Sequence, residues 1–104
     1  MREAAVIALK GCAYKVTPDF ALVCDIEDEL GGIAGLAARF SKGEWKVSEL
    51  VTLVHMLLQA AGRTDDYREL GNAILSEGVD GHVASVSRFF GLILAGGKED
   101  LSCP

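Results

Sequence analysis

The side chains able to do chemistry in this chain are two histidines (His55 and His82), three cysteines (Cys12, Cys24 and Cys103) and a carboxylate run of Asp25, Asp28 and Glu29. Spacing decides whether any of them forms a site. Neither histidine has a second His, Cys or carboxylate at zinc-binding spacing on its own segment, and Glu49 and Gln59 flank His55 without forming H-E-x-x-H. The carboxylates stand at i, i+3 and i+4, which puts them on one side of a helix. They lack the alternating ligands and bend glycine of a calcium loop, so they read as a solvated acidic face, open to a basic partner or to Arg39. Ser85 and Ser87 have no strained G-x-S-x-G elbow. Gly31, Gly32 and Gly35, and likewise Gly78 and Gly81, lack the Lys-Ser/Thr of a phosphate loop and read as helix stops and close-packing positions. The cysteines are odd in number and show no C-x-x-C spacing, which fits unpaired thiols in a reducing cytosol. No catalytic residue, metal ligand or cofactor site is therefore expected. The rival class is a small enzyme or redox protein built on Cys24 or His55.

The aromatic residues give a different kind of candidate. Phe90 falls on the apolar stripe of the last helical segment, and Phe89 lies one step off it. Phe89 is thus either part of a wide core stripe or an interface anchor. Together with Trp45, the only tryptophan, and Leu92, it makes up the expected partner-binding set.

These residues must be positioned by one small core. With 104 residues, half of them hydrophobic, the chain is expected to form a single domain over 1–104. A net charge of −5 argues against nucleic-acid binding, which requires a basic patch to neutralise phosphates. The N-terminal apolar run ends at Lys10, too early for the core of a signal peptide, so a cytoplasmic protein is expected. Residues 48–61, SELVTLVHMLLQAA, organise the remainder. At roughly 100° per residue, Glu49, Thr52, His55 and Gln59 share one arc and apolar side chains fill the rest. A helix of about 21 Å is too short to cross a bilayer and needs cover on several sides, with the polar arc left to solvent.

The flanking segments supply that cover. Two short runs about Lys10-Gly11 predict a β-hairpin over 4–17, whose first strand has an edge able to pair with another subunit. Thr17-Pro18-Asp19 predicts a helix start with Thr17 as cap, and Phe20, Val23, Ile26 and Leu30 then follow at helical spacing up to Gly31-Gly32. A second helix carries Leu36, Ala37 and Phe40 and stops at Ser41-Lys42-Gly43, with Gly35 as a close-packing position. Ser48 is expected to cap the central helix. A fourth helix starts at 64–66, turns Tyr67, Leu70, Ile74 and Leu75 inward, and stops at Gly78. The fifth buries Val79, Val83, Val86, Phe90 and Ile93 and ends at Gly96-Gly97, before a frayed tail over 98–104. The fold class is mainly α: a short N-terminal hairpin, then a bundle of about five helices over 18–97.

In this order the segments YKVTPDF, ALVCDIEDELGG, IAGLAARFSKGEW, SELVTLVHMLLQAAG and AILSEGVDGHVASVSRFFGLILAG resemble the small tail-assembly chaperones, or minor tail proteins, of gene transfer agents and related siphophages. The resemblance covers nearly the whole chain and rests on the order of signals. It implies a non-enzymatic protein that binds the tape-measure protein or tail-tube subunits during assembly, and it leaves room for a homo-oligomer. The alternatives are a structural component of the tail, incorporated into the particle, or a generic small protein-interaction domain.

Overall fold

Lys10 and Gly11 both take positive φ, 52° and 80°, the backbone of a type I′ hairpin turn. The turn sets the register of β1 (Ala5–Leu9) against β2 (Cys12–Val16), with Leu9 opposite Cys12 and Ala5 opposite Val16. Ala5, Ile7 and Leu9 on one face of β1 are buried, while the Val6 and Ala8 face is exposed. On β2 only Val16 is fully buried, Tyr14 is half covered, and Cys12 at the turn is exposed. The hairpin lies with β1 against α5 and with both strands also touching α3. Such cover gives a two-stranded sheet the support that it lacks alone.

The computed structural model describes residues 4–95. Five helices follow the hairpin: α1 (Phe20–Leu30), α2 (Ile33–Lys42), α3 (Val47–Ala60), α4 (Tyr67–Glu77) and α5 (Val79–Ala95). The mainly α class and the element order agree with expectation. Gly96, Gly97, Cys103 and the expected tail over 98–104 lie outside the described residues.

Two caps differ from the sequence reading, for reasons of local geometry. Asp19, not Thr17, caps α1: its carboxylate accepts from the Leu22 amide at 2.8 Å, and Pro18 sits before the cap. The carboxylate reaches the third amide of the helix, a bond of the kind that makes aspartate a strong cap. For α3 the cap is Lys46, not Ser48. Glu49 reaches back to the Lys46 amide at 3.1 Å, so the third-position carboxylate supplies the capping bond that a serine hydroxyl was expected to give. Asp66 caps α4 as the acidic start signal implied, accepting from the Glu69 amide at 3.0 Å, and α2 and α4 end at Gly43 and Gly78. Gly32 gives α2 no side-chain cap, and Glu27 of α1 fills that role by accepting from the Ile33 amide at 2.9 Å.

The core closes around α3. Leu50, Val51, Leu53, Val54, Leu57 and Leu58 are all buried, which is the wide apolar arc expected. Around them pack Ile7, Val16, Ile26, Leu36, Phe40, Leu70, Ile74, Val86, Phe89 and Phe90 from every other element. The expected fifth-helix stripe is broader than drawn. Val86 and Phe90 are buried, Val79, Val83 and Ile93 are half covered, and His82 and Phe89 join the buried side. Gly35 is exposed, and a Cβ placed there would meet no neighbour within 4 Å, so it is not a close-packing position.

Two stability changes follow. Leu53→Ala should destabilise the fold by about 3 kcal/mol in urea unfolding, since it opens a cavity in the most enclosed helix. Gly35→Ala should stabilise it by about 0.5–1 kcal/mol, because a helical glycine is replaced in open space. A loss of stability at Gly35 would show a close packing that this fold lacks.

Candidate functional site

The polar arc of α3 is not left to solvent. Arg39 of α2 forms a forked pair with Glu49 at 2.8 and 2.9 Å. His55 donates from Nε2 to the Asp65 carbonyl at 2.9 Å and meets the Tyr67 ring edge-on, with centroids 5.8 Å apart. The Tyr67 hydroxyl lies 3.0 Å from Thr52 Oγ1 and donates to the Ser48 carbonyl at 3.3 Å. Only Gln59 remains exposed. The arc is a polar seam that fixes α2, the 61–66 loop and α4 on α3. That corrects the expectation of a free polar face, and its cause is that each group finds a fixed partner from a neighbouring element. The Arg39 pair holds the Glu49 carboxyl below the usual carboxylate range, first by its hydrogen bond and then with help from the Lys46 amide. It also means that Arg39 is engaged by Glu49, ten residues on, instead of by Asp28 or Glu29.

The second polar knot was invisible to spacing rules. Glu77, at the end of α4, accepts from the Lys10 amide of the hairpin turn at 2.7 Å and from His82 Nε2 at 3.0 Å. Its partners are 67 and 5 residues away, so only the folded chain brings the three together. His82 is 4% exposed and thus serves the core. The Lys10 amide, and after it His82, hold the Glu77 carboxyl below the usual range. A third knot joins Arg63 to Asp65 at 2.6 Å and to the Tyr14 hydroxyl, with the guanidinium 4.9 Å from the Tyr14 ring centre. All three knots tie elements together, and among the described residues no buried side-chain nitrogen or oxygen lacks a partner.

The other sequence candidates are placed as follows. Asp25, Asp28 and Glu29 are exposed, as a solvated acidic face requires. Among the described residues no group of three or more His, Cys, Asp or Glu side chains could hold a metal ion. Cys12 is exposed, Cys24 is half covered, and both are free thiols. The Ser85 hydroxyl donates to the Gly81 carbonyl at 3.2 Å, inside its own helix. Among the described residues no helix is long and apolar enough to cross a membrane.

Of the expected contact set, Phe89 is 0% exposed and packs at 6.4 Å from Phe90, so as it stands its ring has no surface to offer a partner. The wide α5 stripe is the reason: Phe89 is one of its buried members. Trp45 is half covered and lies flat on Phe40, with centroids 5.6 Å apart and an interplanar angle of 6°. Leu92 is half covered against the core.

One open apolar feature was read the wrong way round from sequence. Tyr67 and Leu75, expected inward, are exposed, Leu75 by 59%. On α4, Leu70 and Ile74 take the core, which leaves the neighbouring stripe Tyr67, Gly71 and Leu75 at i, i+4 and i+8 facing outward. Opposite this stripe stand Val47 and Val51 of α3, and the two helices enclose a groove of about 260 Å³. Arg68 and Asn72 form its polar side. The volume falls below that of a typical small-molecule pocket and suits one or two inserted side chains. Phe20, at the start of α1, is 82% exposed, the most open large apolar side chain among the described residues.

A family model described as phage tail tube protein, GTA-gp10, matches residues 2–96. Comparison with curated proteins gives no match, and neither does comparison with solved structures.

The polar knots predict an acid sensitivity. Glu77 and Glu49 have lowered folded-state values, so their contribution to stability is full above the ordinary carboxylate range and is lost as the pH falls through that range and below it. Thermal melting of the wild type should drop over that interval. In the Glu77→Gln variant the drop should be smaller, with a lower melting temperature at neutral pH. An unchanged acid response in the variant would remove Glu77 from the account.

Proposed function

The chain belongs to this phage tail tube, GTA-gp10 family, and on that premise we propose that it is a non-enzymatic protein of phage-like tails that works by binding other tail proteins. The family match over residues 2–96 is the observation that carries the reading. The arrangement of side chains supports it: the histidines and most of the paired charges tie elements together, and exposed apolar side chains mark the surface at Phe20, Val47, Tyr67 and Leu75. Exposed apolar clusters of this kind serve contacts between proteins.

Within that reading, the chain acts as an assembly chaperone that covers an apolar segment of the tape-measure protein or of tail-tube subunits until they join the growing tail. A small acidic helical domain is suited to this work, because its net charge of −5 keeps the complex soluble while apolar side chains hold the client. Trp45, on its Phe40 support, and Leu92 remain the contact residues proposed for such a client. The second reading, a structural component retained in the particle, is favoured by the family description itself, which names the tail tube.

Affinity capture of the chain from cells assembling tails, followed by mass spectrometry of the captured proteins and of finished particles, separates these readings. The chaperone reading predicts tail proteins in the capture and none of this chain in finished particles. Its presence there in fixed ratio to tube subunits would establish the structural reading instead. Capture that recovers no tail protein would overturn both.

A further inference from the structure

A recess of about 480 Å³ opens where the last turns of α1 and α3 meet the first turn of α4, lined by Glu29, Thr52, His55, Met56, Gln59 and Tyr67. Its volume lies within the range of ligand-sized pockets. What its walls offer is mostly acceptors. His55 donates from Nε2 to the Asp65 carbonyl, which leaves Nδ1 of the neutral ring with a lone pair and no hydrogen-bond partner. Tyr67 donates to the Ser48 carbonyl, so its bond with Thr52 takes its proton from the threonine and leaves the Thr52 oxygen able to accept. The Glu29 carboxylate and the Gln59 amide are exposed, and neither is bonded within the described residues.

The electrostatics point the same way. Glu29 stands in the last turn of α1 and Gln59 in the last turn of α3, both at the negative end of a helix dipole, and neither turn carries a basic residue. The positive end of α4 is already matched by its cap Asp66 and by Glu69 in its first turn. No Lys or Arg lines the recess. Met56 lies half covered on the core, and the Tyr67 ring stands edge-on to His55, so apolar and aromatic surface adjoins the acceptors.

A group suited to these walls carries positive charge, several N–H donors, no acceptor and an apolar stem. Arginine has all four, and its planar fork of five donors reaches separated acceptors that the point charge of lysine cannot serve together. Its methylenes suit Met56, and its cation suits the Tyr67 ring. We propose that this recess receives an arginine side chain of a partner protein of the tail, with the guanidinium held by Glu29 and by His55 Nδ1 and the stem lying on Met56 and Tyr67. The identity of the partner as a tail protein rests on the function proposed above; the chemistry of the recess does not.

Solution NMR of the full chain titrated with acetyl-Gly-Arg-Gly-amide, whose only charge is the guanidinium, reads the recess by itself. Saturable shifts of the His55 ring and Met56 methyl signals are expected. The same peptide with citrulline, which keeps the shape and loses the charge, or with lysine should bind roughly fivefold or more weakly. Glu29→Gln should weaken the arginine peptide roughly tenfold, with circular dichroism unchanged because the position is exposed. Asp28→Asn, next to it in sequence but outside the recess, should change binding by less than about twofold. Absent shifts at His55 and Met56, equal binding of the citrulline or lysine peptide, or equal losses in the two variants would overturn the site. The last result would reveal only a general attraction to an acidic helix. Capture from cells assembling tails then reads the partner: Glu29→Gln should recover markedly less tail protein than wild type, and Asp28→Asn as much. Full recovery with Glu29→Gln would overturn the recess as a contact and leave the proposed function standing. Wild-type capture without any tail protein would remove that function and the partner together, even where the peptide binds.

Discussion

Everything in this fold depends on the coverage of α3. Its six buried aliphatic side chains spread over nearly half of the helix circumference, so no single neighbour can shield them. Each fully buried side chain of this kind contributes about 1.5–3 kcal/mol, and the contribution is made only if water is excluded on every side. The chain meets that demand by placing the hairpin, α1, α4 and α5 directly against α3 and letting α2 close over α5. Cover from so many short elements is geometrically demanding, because each must be held at a set angle. The polar arc of α3 does that holding. Arg39 with Glu49 fixes the approach of α2, and His55 with Asp65 and Thr52 with Tyr67 fix the loop and the first turn of α4.

This division of labour gives the histidines and most of the paired charges fixed partners in neighbouring elements. Glu77 makes the point most clearly: its two oxygens serve the hairpin turn and α5 at once, so the two ends of the chain's topology meet in one carboxylate. The surface left over is apolar and recessed between α3 and α4, or apolar and protruding at Phe20. That surface suits a member of a tail family, whose members work through contacts with other copies and other proteins.

Periodicity carried most of the architecture. The Lys10-Gly11 turn, the stops at Gly31, Gly43 and Gly78, and the inward faces of α2 and α3 were all legible, because each depends on residues within one turn or one strand. The face of α4 was not. Tyr67, Leu70, Ile74 and Leu75 span more than one stripe, and only the position of α3 decides that Leu70 and Ile74 go inside. Phe89 posed the same ambiguity and resolved in the opposite direction, into the core. The three polar knots were invisible because their partners are joined by the fold and not by spacing. The groove escaped the sequence reading for the same reason, although the surplus of large apolar residues on α4 was a signal that it could not all be buried.

The central claim is that the apolar side chains left open by the packing around α3 are contact surfaces. Hydroxyl-radical footprinting measures side-chain access directly and can be run on the dilute chain and on its native assembly with tail proteins. The account predicts strong labelling of Phe20, Tyr67 and Leu75 in the dilute chain, with Phe89 silent, and a marked fall at those three positions in the assembly. Equal labelling in both states, or a reactive Phe89 in the isolated chain, would contradict it.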